Sequence, residues 1–335
     1  MHRPFVGVCA PMVSARVVAP CPLIAFATMW GMAISVTHFT DPGCPWAYSA
    51  SPALAVLHWR YGDQLDWRLA TIGLTEHAEQ YLRRGYSPGR AARGYLTFRR
   101  RWGMPFATEP RPRVVATSRA CRAIVATRLR SPEREHAVFR ALQFAWMTTP
   151  LVMDDDEDIL RAVEGVPGID AREIVAALDD PDVDAAYEAD RADARTAEGS
   201  PTHFQGKAAQ TDGLVRYTAP SLVFTGADGR RLEAGGFQPV EAYDVIVANL
   251  DPTLERRPAP EDPVEAIEAF PDGLVTAEVA AIMTAGNDAI DHEAAEAALI
   301  EPVAEGRIRR TTLGSSALWQ PVGAPVMAVP VAATA

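Results

Sequence analysis

One short run concentrates the chemistry: Cys44-Pro45-Trp46-Ala47, which lies between a strand-like and a helix-like stretch. A cysteine at a helix amino end faces unsatisfied N–H groups and the positive end of the helix dipole. Both favour thiolate over thiol, so the position predicts a lowered pKa and a nucleophile at neutral pH. Pro45 in the first turn gives up no useful hydrogen bond. The competing reading is a buried structural cysteine. Cys121 falls among apolar and small residues of a helix and reads as a core cysteine, while Cys9 and Cys21 lie near the amino terminus. His38 and His58 flank the run and could bias its ionisation, although a strand or core histidine is the commoner case. No HExxH, P-loop, GxSxG or paired-cysteine zinc spacing occurs, so no metal site is expected.

The elements that would position Cys44 follow from periodicity. Residues 34–39 alternate as a strand, 47–61 carry helical spacing up to Gly62, and 64–72 alternate again. Strand, helix, strand at this spacing is a βαβ unit with a parallel pair and a right-handed crossover. Between residues 77 and 198 only helical segments are expected. Beta structure returns at Ser221–Thr225, with Gly226-Ala-Asp-Gly229 as a hairpin turn before 231–235, and a helix closes the section at 239–250. A sheet built from two separated stretches implies a helical domain inserted into an α/β fold.

These residues resemble the DsbA-like branch of the thioredoxin superfamily, in particular its FrnE-like group, over roughly residues 33–250. Three features carry the resemblance: Cys44-Pro45-Trp46 after the first strand, the helical insert, and Tyr217-Thr218-Ala219-Pro220 directly before a strand. It implies a thioredoxin-like fold at 32–76 and 205–250, interrupted by a helical domain at 77–204. It also implies that Ala219–Pro220 is a cis peptide facing the cysteine, with backbone groups free to pair with an extended substrate. Cys44 is then the catalytic residue, and Pro45, Trp46, Ala219 and Pro220 contact substrate. The chain departs from the family pattern at Ala47, where the motif's second cysteine is expected. A dithiol enzyme resolves its mixed disulfide with that partner, so Cys44 alone requires an external thiol. The expectation is a monothiol oxidoreductase or isomerase acting on a small thiol or a protein disulfide. It would hold no bound cofactor and use a low-molecular-weight thiol as co-substrate. The alternatives are a non-catalytic peptide- or thiol-binding module, or a regulatory adaptor that works through its last segment.

Composition narrows the partners. The 335 residues are 48% apolar with a net charge of −11, which argues against a general nucleic-acid or anionic-membrane binder. Basic charge is almost all arginine. Fourteen arginines fall within residues 83–134 against only Glu109 and Glu133, and they read as neutralising the acidic stretch 154–198. Residues 251–263 read as a proline-rich linker, and 264–322 as a small winged-helix-like domain. Its acidic character argues for protein contact or homodimerisation rather than DNA. Residues 1–31 read as a poorly structured extension, the tail after Pro321 as frayed, and the compartment as cytoplasmic.

Overall fold

The computed structural model describes residues 34–286 and 288–330. The expected extension at 1–31, with Cys9 and Cys21, lies outside the described residues.

Strand β1 (Ile34–Thr40) runs into a tight loop, then α1 (Pro45–Ser49), α2 (Ser51–Tyr61) and β2 (Leu65–Thr71). The single helix expected at 47–61 is therefore two, separated at Ala50. β1 and β2 pair in parallel, from Ile34 opposite Leu65 to Thr40 opposite Thr71. Helices α3 (Ala78–Arg83), α4 (Pro88–Trp102), α5 (Ser118–Arg130) and α6 (Glu135–Thr148) follow. The insert continues through α7 (Asp156–Val163), α8 (Ala171–Ala176), α9 (Pro181–Ala194) and α10 (Pro201–Phe204). A short hairpin, β3 (Ala208–Gln210) with β4 (Val215–Tyr217), precedes β5 (Ser221–Thr225), β6 (Arg231–Ala234) and α11 (Val240–Leu250). The main sheet has the order β2-β1-β5-β6, with β5 antiparallel to β1.

Alternation along β1 sends successive side chains to opposite faces. Ile34 and Val36 join Leu57 and Tyr61 of α2 and Tyr243 and Val247 of α11 in one core cluster. Phe39 joins Cys44, Ala47, Tyr217 and Ala219 in another. The insert's helices centre a third core, in which Ile124 of α5 and Leu142 and Phe144 of α6 cluster with Tyr48 of α1 and Leu69 of β2.

The carboxyl-terminal segment contains α12 (Pro263–Ala269), β7 (Leu274–Val275), α13 (Thr276–Met283), α14 (His292–Ala304), β8 (Ile308–Leu313) and β9 (Ser316–Pro321). β9 lies between β7 and β8, which adds a strand to the expected hairpin. This segment shares a core with the thioredoxin-like part: Val56 and Trp59 of α2 pack with Ile267, Val279 and Trp319. A buried network adds to the join. Arg140 of α6 donates to both oxygens of Glu278, at 2.6 and 2.8 Å, and Ser51 donates to the same carboxylate. The expected frayed tail is overturned as well. Met327 and Val329 are buried in the insert's core, and Ala328 N donates to Gly165 O at 3.0 Å. Apolar side chains this far along the chain gain more from burial than the ordering of the segment costs.

Candidate functional site

Cys44 is the residue preceding α1, with Pro45 in the first helical turn. The loop that carries it is fixed by Asp41. One carboxylate oxygen of Asp41 accepts from Gly43 N at 2.9 Å, and the other from Leu74 N and Thr117 Oγ1, both at 2.9 Å. Gly43 fits because it lacks a side chain: a Cβ there would lie 2.8 Å from both Thr117 Cγ2 and the Trp146 ring. The sequence reading passed over Asp41. Its one signal was position, an acidic residue at the exit of the first strand and close before the cysteine.

Opposite this loop lies the segment before β5. The Ala219–Pro220 peptide is cis, and Cys44 Sγ donates to Ala219 O at 3.3 Å. The structure thus brings together Cys44, Pro45, Ala219 and Pro220, residues far apart in sequence. Trp46 projects outward. It is 46% exposed and meets Phe98 of α4 edge-on at 4.9 Å and Phe237 at 6.0 Å. Ala47 is buried beside the cysteine, at the place where a second motif thiol would stand.

The expected low pKa at Cys44 is overturned. The side chain is only 7% exposed, and burial pushes the thiol up to about 11. The backbone N–H groups of Ala47 and Trp46 oppose this, and so does Arg216, whereas Asp41 adds to the rise. A five-residue helix carries too small a dipole to reverse desolvation. Burial raises the Asp41 carboxyl too, against the hydrogen bonds it accepts. Cys121 on α5 is fully buried, with its Sγ 3.5 Å from Asp41 Oδ2 and its pKa raised by burial. Both described cysteines are free thiols.

His38 and His58 line a cavity of about 920 Å³, together with Ala47, His136, Trp67 and Arg140. Burial lowers the His38 and His58 imidazoles to about 3, so both stay neutral at physiological pH. His136 has exposed surface, which faces this cavity. Arg216 is another residue the sequence reading missed. It is 6% exposed, donates to Tyr217 O at 3.0 Å and Thr211 Oγ1 at 3.3 Å, and lies close enough to Cys44 to favour its thiolate. No group of three or more His, Cys, Asp or Glu side chains among the described residues is arranged to hold a metal ion.

A parallel βαβ unit, an antiparallel return hairpin and a cysteine ahead of the first helix define a thioredoxin-like protein with a helical insert. The DSBA-like thioredoxin domain family matches residues 35–219, more than half of the chain, and the chain belongs to that family. Among solved structures it is similar to a protein from Nitrosomonas europaea that bears the name of a protein disulfide isomerase. The two share 17% identity at a TM-score of 0.50, over 65% of this chain and 97% of that one. It is also similar to the cytosolic disulfide reductase DsbM from Pseudomonas aeruginosa, at 18% identity and a TM-score of 0.45, over 64% and 98% of the two chains. At these identities the likeness speaks to fold. No curated protein matches the sequence. Among the described residues no helix is long and apolar enough to cross a membrane.

Proposed function

We propose that this chain is a FrnE-like thiol oxidoreductase or isomerase that works through Cys44 alone, with an external thiol completing the cycle. The observation that carries this reading is the approach of Cys44 Sγ to Ala219 O, with Ala47 beside it and Cys121 turned toward Asp41. In the first step the Cys44 thiolate attacks one sulfur of a substrate disulfide. The new mixed disulfide forms as the old S–S bond breaks, and the departing thiolate takes up the proton that Cys44 released. A second thiolate, from a low-molecular-weight thiol, then attacks the substrate sulfur and frees Cys44. Pro45, Trp46, Ala219 and Pro220 line the substrate's approach. The cytoplasm, where such thiols are kept reduced, suits this cycle.

One observation favours a second reading. A thiol held at about 11 and largely buried suits a module that binds a peptide or thiol without exchanging with it. The adaptor reading has less support, because the carboxyl-terminal segment shares its core with α2.

Trapping separates the two. Incubation with glutathione disulfide at pH 8.5, followed by mass spectrometry, is expected to give one glutathione adduct on Cys44 that added thiol releases. Cys44→Ser is expected to give none, and Cys121→Ser to behave as wild type. A wild-type protein that forms no adduct, yet retains reduced glutathione in equilibrium dialysis, would establish the binding module instead.

A further inference from the structure

Two sets of arginines within residues 83–134 differ in their partners. Every arginine of α5 has a carboxylate partner: Arg119 with Asp156 and Asp179, Arg122 with Asp184, Arg128 with Asp190 and Glu135, and Arg130 with Asp180. Arg83 at the end of α3, Arg84 after it, and Arg90, Arg93, Arg100 and Arg101 of α4 are exposed and pair with no carboxylate side chain among the described residues, while Arg99 of α4 is half-buried. The undescribed residues 1–33, 287 and 331–335 contain no Asp or Glu that could supply one. In a chain of net charge −11, a run of unneutralised cations is not an average property of the surface.

This run borders Cys44. Phe98 of α4 touches Trp46, and Trp102 lies 4.3 Å from Phe237, which also meets Trp46. Exposed apolar and aromatic side chains interleave with the arginines: Trp46, Leu82 and Tyr86, with Arg90 stacked over Tyr86 at 5.4 Å. Mixed Trp, Tyr and Arg surfaces are those that protein contacts favour. Behind the cysteine, Arg216 is a buried cation whose hydrogen bonds go only to neutral oxygens.

Resting on the exchange reading above, we infer that the partner of this site is an acidic polypeptide segment, with Asp or Glu flanking the cysteine that Cys44 engages. Length selects a polypeptide over a small thiol. The 15 residues of α4 extend about 22 Å at 1.5 Å per residue, whereas a tripeptide-sized thiol spans about 10 Å. A small thiol reaches only the end of the row nearest Trp46. An extended acidic chain can run along it, with aromatic anchors near the cysteine and arginines beyond.

The test uses the full chain and two ten-residue peptides, each with one central cysteine carried as its mixed disulfide with thionitrobenzoate. One peptide has Glu and Asp flanks and the other has Lys flanks. Attack of Cys44 on the peptide sulfur forms Cys44–S–S–peptide and releases thionitrobenzoate, which is read by its colour. The acidic peptide is expected to react at least about tenfold faster in 20 mM salt, with the difference collapsing in 1 M NaCl. The variant Arg90→Gln/Arg93→Gln/Arg100→Gln/Arg101→Gln is expected to lose the preference while keeping the rate for an uncharged peptide. Equal rates for the two peptides, or a preference that survives in the variant, would overturn the inference. Glutathione disulfide slowed by the variant as strongly as the acidic peptide would also overturn it, in favour of a small anionic thiol. If neither peptide labels Cys44, the exchange reading fails on its own. Calorimetry with the acidic peptide carrying Ser for Cys then decides the surface: arginine-dependent binding supports the inference, and no binding overturns it.

Discussion

The loop that carries Cys44 lies between two arginine-rich helices that treat it differently. On the α5 side everything is closed. Asp41 reaches Thr117 and Cys121, Gly43 packs against Thr117, and the helix's cations are neutralised by α9 and its neighbours. On the α4 side the loop meets a more open surface, where Trp46 is half exposed and a row of arginines has no carboxylate partner among the described residues. Sequence alone does not separate the two helices, because arginine is equally dense in both. What packs against each helix decides whether its charge is structural or available.

The largest expected effect comes from opening the closed side. Asp190 is nearly fully buried and accepts from Arg128, Thr71 N and Thr71 Oγ1. Arg128→Ala leaves that carboxylate with only the half-exposed Arg68, 3.7 Å away, and chemical denaturation is expected to show a loss toward the low end of about 3–5 kcal/mol. Next is Gly43→Ala, which forces Thr117 or Trp146 aside. Overpacking of this kind costs about 1–3 kcal/mol, and the Cys44 loop is expected to show faster amide exchange. On the open side, Arg100→Ala and Arg101→Ala are expected to change stability by no more than about 0.5 kcal/mol. A loss there comparable to that of Arg128→Ala would erase the distinction between the two helices.

The remaining predictions test the thiol itself, whose effect on stability is confined to alkaline pH. Alkylation of Cys44 against pH is expected to show a midpoint near 11, and Asp41→Asn should lower it by removing a charge that opposes the thiolate. In the unfolded chain the thiol deprotonates near its ordinary value of 9.0, so between 9 and 11 the unfolded state binds fewer protons than the folded one. Stability therefore declines as pH rises through that window, and Cys44→Ala should flatten this part of the curve. A midpoint at or below 8.5 would show that the helix end outweighs burial.

Much of the fold was legible in the sequence because periodicity reports it directly. The alternation at 34–39, the helical spacing after Pro45 and the turn at Gly226–Gly229 each lie within one element. The motif was legible for the same reason, since Cys44, Pro45 and Trp46 are neighbours. The environment of the motif was not. Asp41 and Arg216 act on Cys44 through burial, which depends on the helices packed over the loop. The tail escaped notice because Met327 and Val329 follow Gly and Pro and lack a period, while their burial depends on a surface assembled far upstream. The division of arginines was hidden likewise, since ion pairs such as Arg119 with Asp179 join distant parts of the chain.

The buried tail has a consequence for how the protein is made. β1 is the first described strand in chain order, yet Ser35 must wait for Thr225 before its second neighbour in the sheet exists. The insert's core must wait longer still, for Met327 and Val329. Until Met327 and Val329 have been made, nascent chains expose apolar surface that these residues cover, which is the state chaperones recognise. A stop codon just ahead of Met327 would remove no motif residue, yet it would leave this surface uncovered.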